Sequence, residues 1–323
     1  MDNGMIEKSK KIRWKTDEYM KTVEKNGVTY LKYWSFEPFE KTIIHGFSTR
    51  LGGVSKGIYE SMNLSFTRGD EEEAVFENYR RISEAIGFLP EDIVCSDQTH
   101  TTNVRRVGRA DRGKGIVKAR DYTDVDGLIT NAPGIVLATF YADCVPLFFV
   151  DPKNRAIGLS HSGWRGTVGK IGKVTVEAMK REFGSNPEEI YTAVGPSICQ
   201  DCYEVSEDVI VQFEEQFKKE NHKDLFYKKE NGKYQLNLWQ ANELVFLDPI
   251  LSLTRIWISL LCCTDALIIW LIQEENIKEG AILSGKLITI MKIIRMLSTK
   301  NPYIVVLQET LIIILLAIRM VLS

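Results

Sequence analysis

Two stretches of sequence decide the fold of this chain: Ile135-Val-Leu-Ala-Thr-Phe-Tyr-Ala-Asp-Cys144 and Ala156-Ile-Gly-Leu-Ser-His161-Ser-Gly-Trp-Arg165-Gly. Each begins with an apolar run that is typical of a buried strand, and a short hairpin separates them. A thiol, an imidazole and a guanidinium follow these runs within one short span. Strand ends are where a rigid scaffold presents reactive groups. We therefore predict a mixed α and β enzyme with its site at these strand ends.

A third candidate, His100, closes the sequence Asp97-Gln-Thr-His and follows another short apolar run at 93–95. Each residue alone is as typical of a buried packing position. Together, His100, Cys144 and His161 make a three-ligand zinc site with a fourth position open. The ligands are 44 and 17 positions apart, unlike the local spacing of a zinc finger, so neighbouring strands must assemble the site. We predict donor atoms within about 4 Å of one another, since zinc bonds are about 2.0–2.3 Å long.

The composition excludes several classes of protein. The chain has 323 residues, enough for one large domain or two, and its net charge of −2 provides no basic field for nucleic acid. Residues 1–15 are charged and lack the apolar segment of a secretory signal. Six cysteines follow no disulfide-scaffold pattern, which is typical of the reducing cytosol. We predict a cytoplasmic protein with no nucleic-acid partner.

Hydrophobic periodicity and turn residues predict a chain of alternating short strands and helices up to about residue 247. The predicted strands are 28–34, 42–48, 93–95, 127–130, 135–141, 156–159 and 190–194, and the predicted helices are 71–87, 168–183, 206–219 and 236–247. Gly87 and Gly184 are expected to end the first two helices, and Ser206 is expected to cap the third.

Two glycine-rich segments are candidates for binding an anion. Residues 48–55 combine Arg50 with two glycines and three hydroxyl groups, which is either a phosphate or carboxylate clamp or a plain turn. Residues 166–170 lack the spacing of a phosphate loop and are interpreted as a helix N-terminus, whose amides favour an anion. Arg165, beside that segment, carries a permanent positive charge.

Other polar residues leave two interpretations open. Asp124 and Asp126 form either a functional carboxylate pair or a turn, since Asp-Gly is above all a turn signal. Cys199 and Cys202 have CxxC spacing without a redox context, which favours a structural loop. Glu204 is either a general base or a solvated surface carboxylate.

Six motifs occur in order along the chain: His45-Gly-Phe-Ser-Thr-Arg-x-Gly-Gly-Val-Ser, Asp97-Gln-Thr-His, Asp124-Val-Asp-Gly-Leu-Ile-Thr, Ala142-Asp-Cys-Val-Pro, His161-Ser-Gly-Trp-Arg-Gly and Val194-Gly-Pro-x-Ile-x-x-x-x-Tyr-Glu-Val. Together they resemble the bacterial laccase-domain family, also called multicopper polyphenol oxidases or YfiH-type proteins. Members are described as purine nucleoside phosphorylases with adenosine deaminase activity. The resemblance covers about residues 40–247.

The resemblance implies an α+β fold with α/β/β/α layers and a mixed sheet, in a single catalytic domain that we place at residues 1–247. It implies a zinc site of His100, Cys144 and His161, with copper as the second choice of metal. It also implies phosphorolysis of adenosine, inosine, guanosine and methylthioadenosine, together with deamination of adenosine. On that reading Cys144 and His161 are catalytic, and Arg50 and Arg165 hold phosphate against the ribose.

Three other functions stay open at this point. One is a copper-dependent polyphenol oxidase, although four histidines in the whole chain cannot build a multicopper cluster. Another is an amide hydrolase that edits peptidoglycan precursors, with Cys144 as nucleophile and His161 as base. The third is an inactive, partner-binding member of the family, because the expected C-terminal motifs do not follow residue 247.

The composition changes at the C-terminal end of the resemblance. Roughly four in ten residues after position 250 are isoleucine or leucine, and no period of 2 or 3.6 persists among them. We predict that residues 248–323 are an atypical, poorly packed tail that results from a shifted reading frame. The alternative is a membrane anchor at 303–323, which Gln308, Glu309 and Arg319 disfavour.

Overall fold

A mixed sheet of six strands forms the centre of the computed structural model, which describes residues 20–248, 251 and 255–258. All of these residues belong to one unit, 1–264. The strands are β1 Met20–Lys25, β2 Val28–Tyr33, β3 Phe47–Ser48, β4 Ile93–Cys95, β5 Val104–Arg106, β6 Gly127–Thr130, β7 Val136–Ala138, β8 Val145–Asp151, β9 Ala156–Ser162, β10 Tyr191–Val194, β11 Glu204–Val205, β12 Phe226–Lys228, β13 Tyr234–Leu236 and β14 Arg255–Ile258.

The helices lie between and after these strands. The α-helices are α1 Glu72–Ile86, α2 Trp164–Val168, α3 Ile171–Phe183, α4 Glu207–Gln216, α5 His222–Leu225 and α6 Leu238–Phe246. Short 3₁₀ helices span Trp34–Phe39, Gly57–Tyr59, Pro90–Asp92, Arg109–Asp111, Pro187–Glu189, Gln200–Cys202 and Lys219–Asn221.

The central sheet has the strand order β14-β10-β8-β9-β6-β5. The hairpin β8–β9 is antiparallel, whereas β5 runs parallel to β6 and β10 runs parallel to β14. Three smaller sheets accompany it, with the orders β1-β2-β3, β11-β13-β12 and β4-β7. This combination of a mixed sheet with helices confirms the predicted α+β class.

Helices α3 and α6 pack on the central sheet and form the main core. Strand β8 is buried along both faces, which explains why its sequence is almost continuously apolar. Phe149 on β8 meets Phe246 on α6 edge to face, with ring centroids 5.7 Å apart. Gly172 on α3 makes this approach possible, because a Cβ at that position would lie 2.7 Å from the Phe246 ring. The β8–β9 hairpin is therefore packed firmly into the main core.

Several predicted elements differ in length from the observed ones. Helix α1 ends at Gly87, whose φ of 111° is in the left-handed region, as predicted. The predicted helix 168–183 begins three residues later, at Ile171, because Lys170 adopts a φ of 58° and separates α3 from the preceding helix α2. The predicted strand 42–48 shrinks to Phe47–Ser48. Ser206 precedes α4, but its hydroxyl bonds to the Asp208 carboxylate and caps no backbone amide.

The central sheet continues past the predicted boundary at residue 247. Strand β14 pairs with β10 in parallel, with Tyr191 opposite Arg255. Residues 259–323 lie outside the described part of the chain. They include most of the predicted tail and the alternative membrane anchor at 303–323. The domain boundary and the reading-frame interpretation therefore stay predictions. In the described part, no helix combines the length and the apolar character that crossing a bilayer requires.

Candidate metal centre

The three predicted ligands come together at one end of the β8–β9 hairpin. Cys144 immediately precedes β8, and His161 lies on β9 opposite Pro146. His100 reaches the same place from the loop between β4 and β5. The nearest nitrogen or sulfur atoms of the three side chains all lie within 4.8 Å of one another. Among the described residues, they form the one cluster of three or more histidine, cysteine or carboxylate side chains at such distances.

The distances inside this cluster fit a metal site. Cys144 Sγ lies 3.9 Å from His100 Nε2, within the predicted distance of about 4 Å. No two of the three donor atoms are more than 4.8 Å apart. The two imidazole rings meet edge to face, with centroids 4.9 Å apart. Two imidazole nitrogens and one thiol sulfur are the donors that catalytic zinc sites use when a fourth position stays open. The role of these residues as ligands stays a prediction.

Asp126 contacts both histidines. Its Oδ1 accepts a hydrogen bond from His161 Nδ1 at 2.7 Å, and the pair is buried, with side-chain exposures of 0% and 4%. The carboxylate also accepts bonds from the backbone amides of Thr99, His100 and Thr101. Burial opposes ionisation, but these hydrogen bonds, His161 first, hold the pKa of Asp126 below its usual value. The Asp126 carboxylate is therefore ionised, and it is hydrogen-bonded to the side chain of His161 and to the backbone of His100.

Burial and neighbouring charges shift the pKa values of two predicted ligands, His100 and Cys144. Burial lowers the pKa of His100, and the nearby His161 and Arg165 lower it further. Burial also raises the pKa of the Cys144 thiol to about 11, with contributions from the carboxylates of Asp143 and Asp126. A divalent cation would bind the thiolate and displace its proton.

The two predicted anion-binding arginines occupy different surroundings. Arg165 lies on α2, is exposed, stacks its guanidinium 4.2 Å above the Trp164 ring and is close enough to affect the pKa of His100. Arg50 is also exposed, and its Nε donates to the Glu60 carbonyl at 2.9 Å, within its own loop. Thus Arg165 borders the centre, whereas the shared orientation of both arginines toward it stays a prediction.

Aromatic side chains lie beside the centre. The Tyr141 ring lies 5.7 Å from the His161 ring and 6.4 Å from that of Phe47. One cavity is lined by these residues, the three predicted ligands and His45. Burial, together with the nearby Cys144 and Asp143, raises the pKa of Tyr203 to about 12.

Comparison with known proteins assigns this arrangement to a family. Residues 44–266 match the sequence profile of the family described as multi-copper polyphenol oxidoreductase laccase. The chain belongs to this laccase family. The matched range extends beyond residue 247 and includes β14.

Relatives of this laccase-family chain carry enzyme names. It is 37% identical over 227 residues to the purine nucleoside phosphorylase YlmD of Bacillus subtilis, covering 69% of this chain and 80% of the relative. It is 38% identical over 222 residues to a purine nucleoside phosphorylase of Deinococcus radiodurans, again covering 69% and 80%. It is 36% identical over 216 residues to the adenosine deaminase RL5 of an unknown prokaryotic organism, covering 65% and 80%.

Solved structures show the same fold. The crystal structure of YlmD from Geobacillus stearothermophilus superposes with a TM-score of 0.68 at 33% identity, over 77% of this chain and 91% of that one. The hypothetical protein YfiH from Bacillus licheniformis gives a TM-score of 0.64 at 30% identity, over 78% and 90%. Both confirm the YfiH-type fold.

Two residues at the centre of this laccase-family chain were missed as functional from sequence. From the sequence, Asp126 is part of either a functional carboxylate pair or a turn. Gly163 is an ordinary loop glycine in the sequence, yet a Cβ there would lie 2.7 Å from His100 Cδ2 and 3.0 Å from Cys144 Sγ. For Gly163 the usable signal is its position directly after β9, two residues from His161. Asp126 is 26 and 35 positions from the two histidines, so no local signal indicates its role.

The other polar candidates lie apart from the three ligands. Glu204 is exposed and pairs with Lys229, so it is a surface carboxylate and no positioned base. The sulfur atoms of Cys199 and Cys202 lie 3.1 Å apart in the 3₁₀ turn that contains Cys202. Gly166 lies in the first turn of α2, and Lys170 is the N-cap of α3, so the segment 166–170 does contain helix N-terminal positions; anion binding there stays a prediction.

Proposed function

We propose that this chain is a zinc-dependent purine nucleoside phosphorylase that also deaminates adenosine. The carrying observation is the convergence of His100, Cys144 and His161 within 4.8 Å, in a chain whose relatives are named for these two activities. The proposed substrates are adenosine, inosine, guanosine and methylthioadenosine, with inorganic phosphate as the second substrate. The cytoplasmic location predicted from cysteine usage belongs to the same proposal.

The residues of the centre divide the chemistry between them. A zinc ion held by His100, Cys144 and His161 would supply a Lewis acid beside the substrate. The guanidinium of Arg165 offers a paired set of donors for a phosphate, and Arg50 is the second candidate for this role. In phosphorolysis a phosphate oxygen bonds to ribose C1′ while the bond from C1′ to the purine nitrogen breaks, and the base keeps the electron pair. The aromatic wall of Phe47 and Tyr141 is the candidate surface for the flat purine.

The observed centre favours this proposal over its rivals. A multicopper oxidase needs several metal sites, whereas the described residues hold one three-donor cluster and the whole chain has four histidines. A cysteine hydrolase needs a thiol with a depressed pKa. Here burial raises the pKa of the Cys144 thiol to about 11. The hydrogen bond between His161 Nδ1 and Asp126 suits a metal ligand and a general base equally, so it does not separate the two functions.

The deciding experiment is incubation of the purified, zinc-loaded protein with inosine, with and without phosphate, followed by chromatography of the released base. We expect phosphate-dependent release of hypoxanthine, and conversion of adenosine to inosine without phosphate. Cys144→Ser should abolish both activities, whereas Cys202→Ser, at an exposed thiol outside the cluster, should retain them. Base release that does not depend on phosphate would contradict phosphorolysis. A folded, zinc-loaded protein without either activity would identify the chain as an inactive member.

A further inference from the structure

One buried side chain that is not among the predicted ligands contacts both histidines of the candidate metal centre. Asp126 has a side-chain exposure of 0% and immediately precedes β6. Its two oxygens accept hydrogen bonds from His161 Nδ1, from the backbone amides of Thr99, His100 and Thr101, and from the Thr101 hydroxyl. A carboxylate offers about four lone-pair sites, so these five bonds leave it no free acceptor site.

We infer that Asp126 is a positioning residue of the centre: it holds the proton of His161 on Nδ1 and fixes the backbone that carries His100. This inference deepens the proposed function, because it rests on the same three ligands, but it concerns metal binding and not the reaction.

The first part of the inference concerns His161. An ionised carboxylate can only accept, so the 2.7 Å contact with Asp126 Oδ1 requires the proton on Nδ1. The lone pair of the imidazole is then on Nε2, where a metal can bind it. Because both side chains are buried, water does not compete for this bond. Histidine ligands to metals are usually oriented in this way by a carboxylate or carbonyl partner.

The second part concerns His100. Its φ of 66° is in the left-handed region, which residues other than glycine rarely adopt. The amides of Thr99, His100 and Thr101 point at one carboxylate at distances of 3.1, 3.1 and 2.8 Å. Consecutive amides around a left-handed residue form a concave anion site, and the Asp126 side chain is the anion here. The loop is thereby held in the conformation that brings His100 Nε2 to 3.9 Å from Cys144 Sγ.

A purely structural anchor for the loop is the alternative, and an asparagine separates the two. In an Asp126→Asn variant, the amide oxygen at the Oδ2 position keeps the three bonds from Thr99 and Thr101. The NH₂ group at the Oδ1 position can only donate, so it makes His161 Nδ1 an acceptor and moves the proton to Nε2. The loop keeps most of its bonds, whereas the predicted ligand atom loses its lone pair.

The test compares Asp126→Asn with Asp124→Asn in the full 323-residue chain. Asp124 is a matched control, because its carboxylate accepts from the Thr99 hydroxyl in the same loop and its φ of 56° suits asparagine. Zinc affinity is measured by competition with a chromophoric chelator. We expect Asp126→Asn to bind zinc about 10- to 100-fold more weakly, and Asp124→Asn to bind it with unchanged affinity.

Nitrogen-15 NMR of the zinc-free protein provides the readout that a loop anchor would not move. We expect His161 to carry its proton on Nδ1 in the unmodified protein and on Nε2 in Asp126→Asn. An Nε2 proton in the unmodified protein overturns the inference even if the variant does not fold. Wild-type zinc affinity in a folded Asp126→Asn overturns it as well. If the unmodified protein binds zinc as expected but releases no base from inosine, the proposed function fails and the positioning role stands.

Discussion

Substitution of Gly163 by alanine should disable the centre while leaving the fold intact. The backbone itself accepts alanine, since Gly163 has φ −71° and ψ 178°, an ordinary extended conformation. The obstacle is space: the new Cβ would lie 2.7 Å from His100 Cδ2 and 3.0 Å from Cys144 Sγ. Carbon atoms in contact are normally about 3.5–4.0 Å apart, so the His100 ring must retreat by about 1 Å.

The displaced groups determine the size of the effect. His100 is exposed and Cys144 is half-buried, so their movement disturbs little of the core. Overpacking typically costs about 1–3 kcal/mol, and we expect the lower end of that range for the free energy of unfolding. Zinc affinity should suffer more, because two of three ligands move. Disturbing the support of a single ligand already costs about 10- to 100-fold, so we expect a loss of at least that size.

The assay pairs Gly163→Ala with Gly108→Ala. Gly108 also has a negative φ, of −139°, and a Cβ there would meet nothing within 4 Å. Chelator competition gives the zinc affinity of each variant, and urea denaturation of the zinc-free proteins gives their stability. We expect only Gly163→Ala to lose zinc affinity. Wild-type zinc affinity in Gly163→Ala would refute the reasoning, because the new Cβ would then fit beside His100 and Cys144 without displacing them.

Two further predictions concern protons. Zinc binding near pH 8 should release about one proton from Cys144, whose pKa is about 11 before binding; calorimetry in buffers of different ionisation enthalpy measures this release, and Cys144→Ser should lose it. Burial raises the pKa of Glu243 from 4.5 to about 7, so the native state binds more protons than the unfolded chain between these values, and stability is lost as the pH rises through that window. At about 1.4 kcal/mol per pKa unit, the free energy of unfolding falls by about 3 kcal/mol. Urea titrations at pH 5 and pH 8 measure this fall, which should be smaller in Glu243→Gln. An equal fall in the variant and the unmodified protein would contradict the assignment.

The sequence by itself determined the class of fold, the family and the identity of the three candidate ligands. Their signals are local: an apolar run predicts a buried strand, and a polar residue directly after it predicts a presented side chain. Helix α1 was also predicted from the sequence, because its apolar spacing and the glycine that ends it, Gly87, are local signals. The resemblance then joined these local signals into one enzyme family.

Only the tertiary structure decided how the ligands are supported. Asp126 is 26 positions from His100 and 35 from His161, so its contacts arise from the pairing of β6 with β9 and from the fold of the 99–101 loop. The sequence Asp-Gly is typical of a turn, and that local signal hid the buried carboxylate. Gly163 likewise looks like any loop glycine until His100 is packed against it. Long-range contacts, which no local pattern encodes, turned three predicted ligands into one centre.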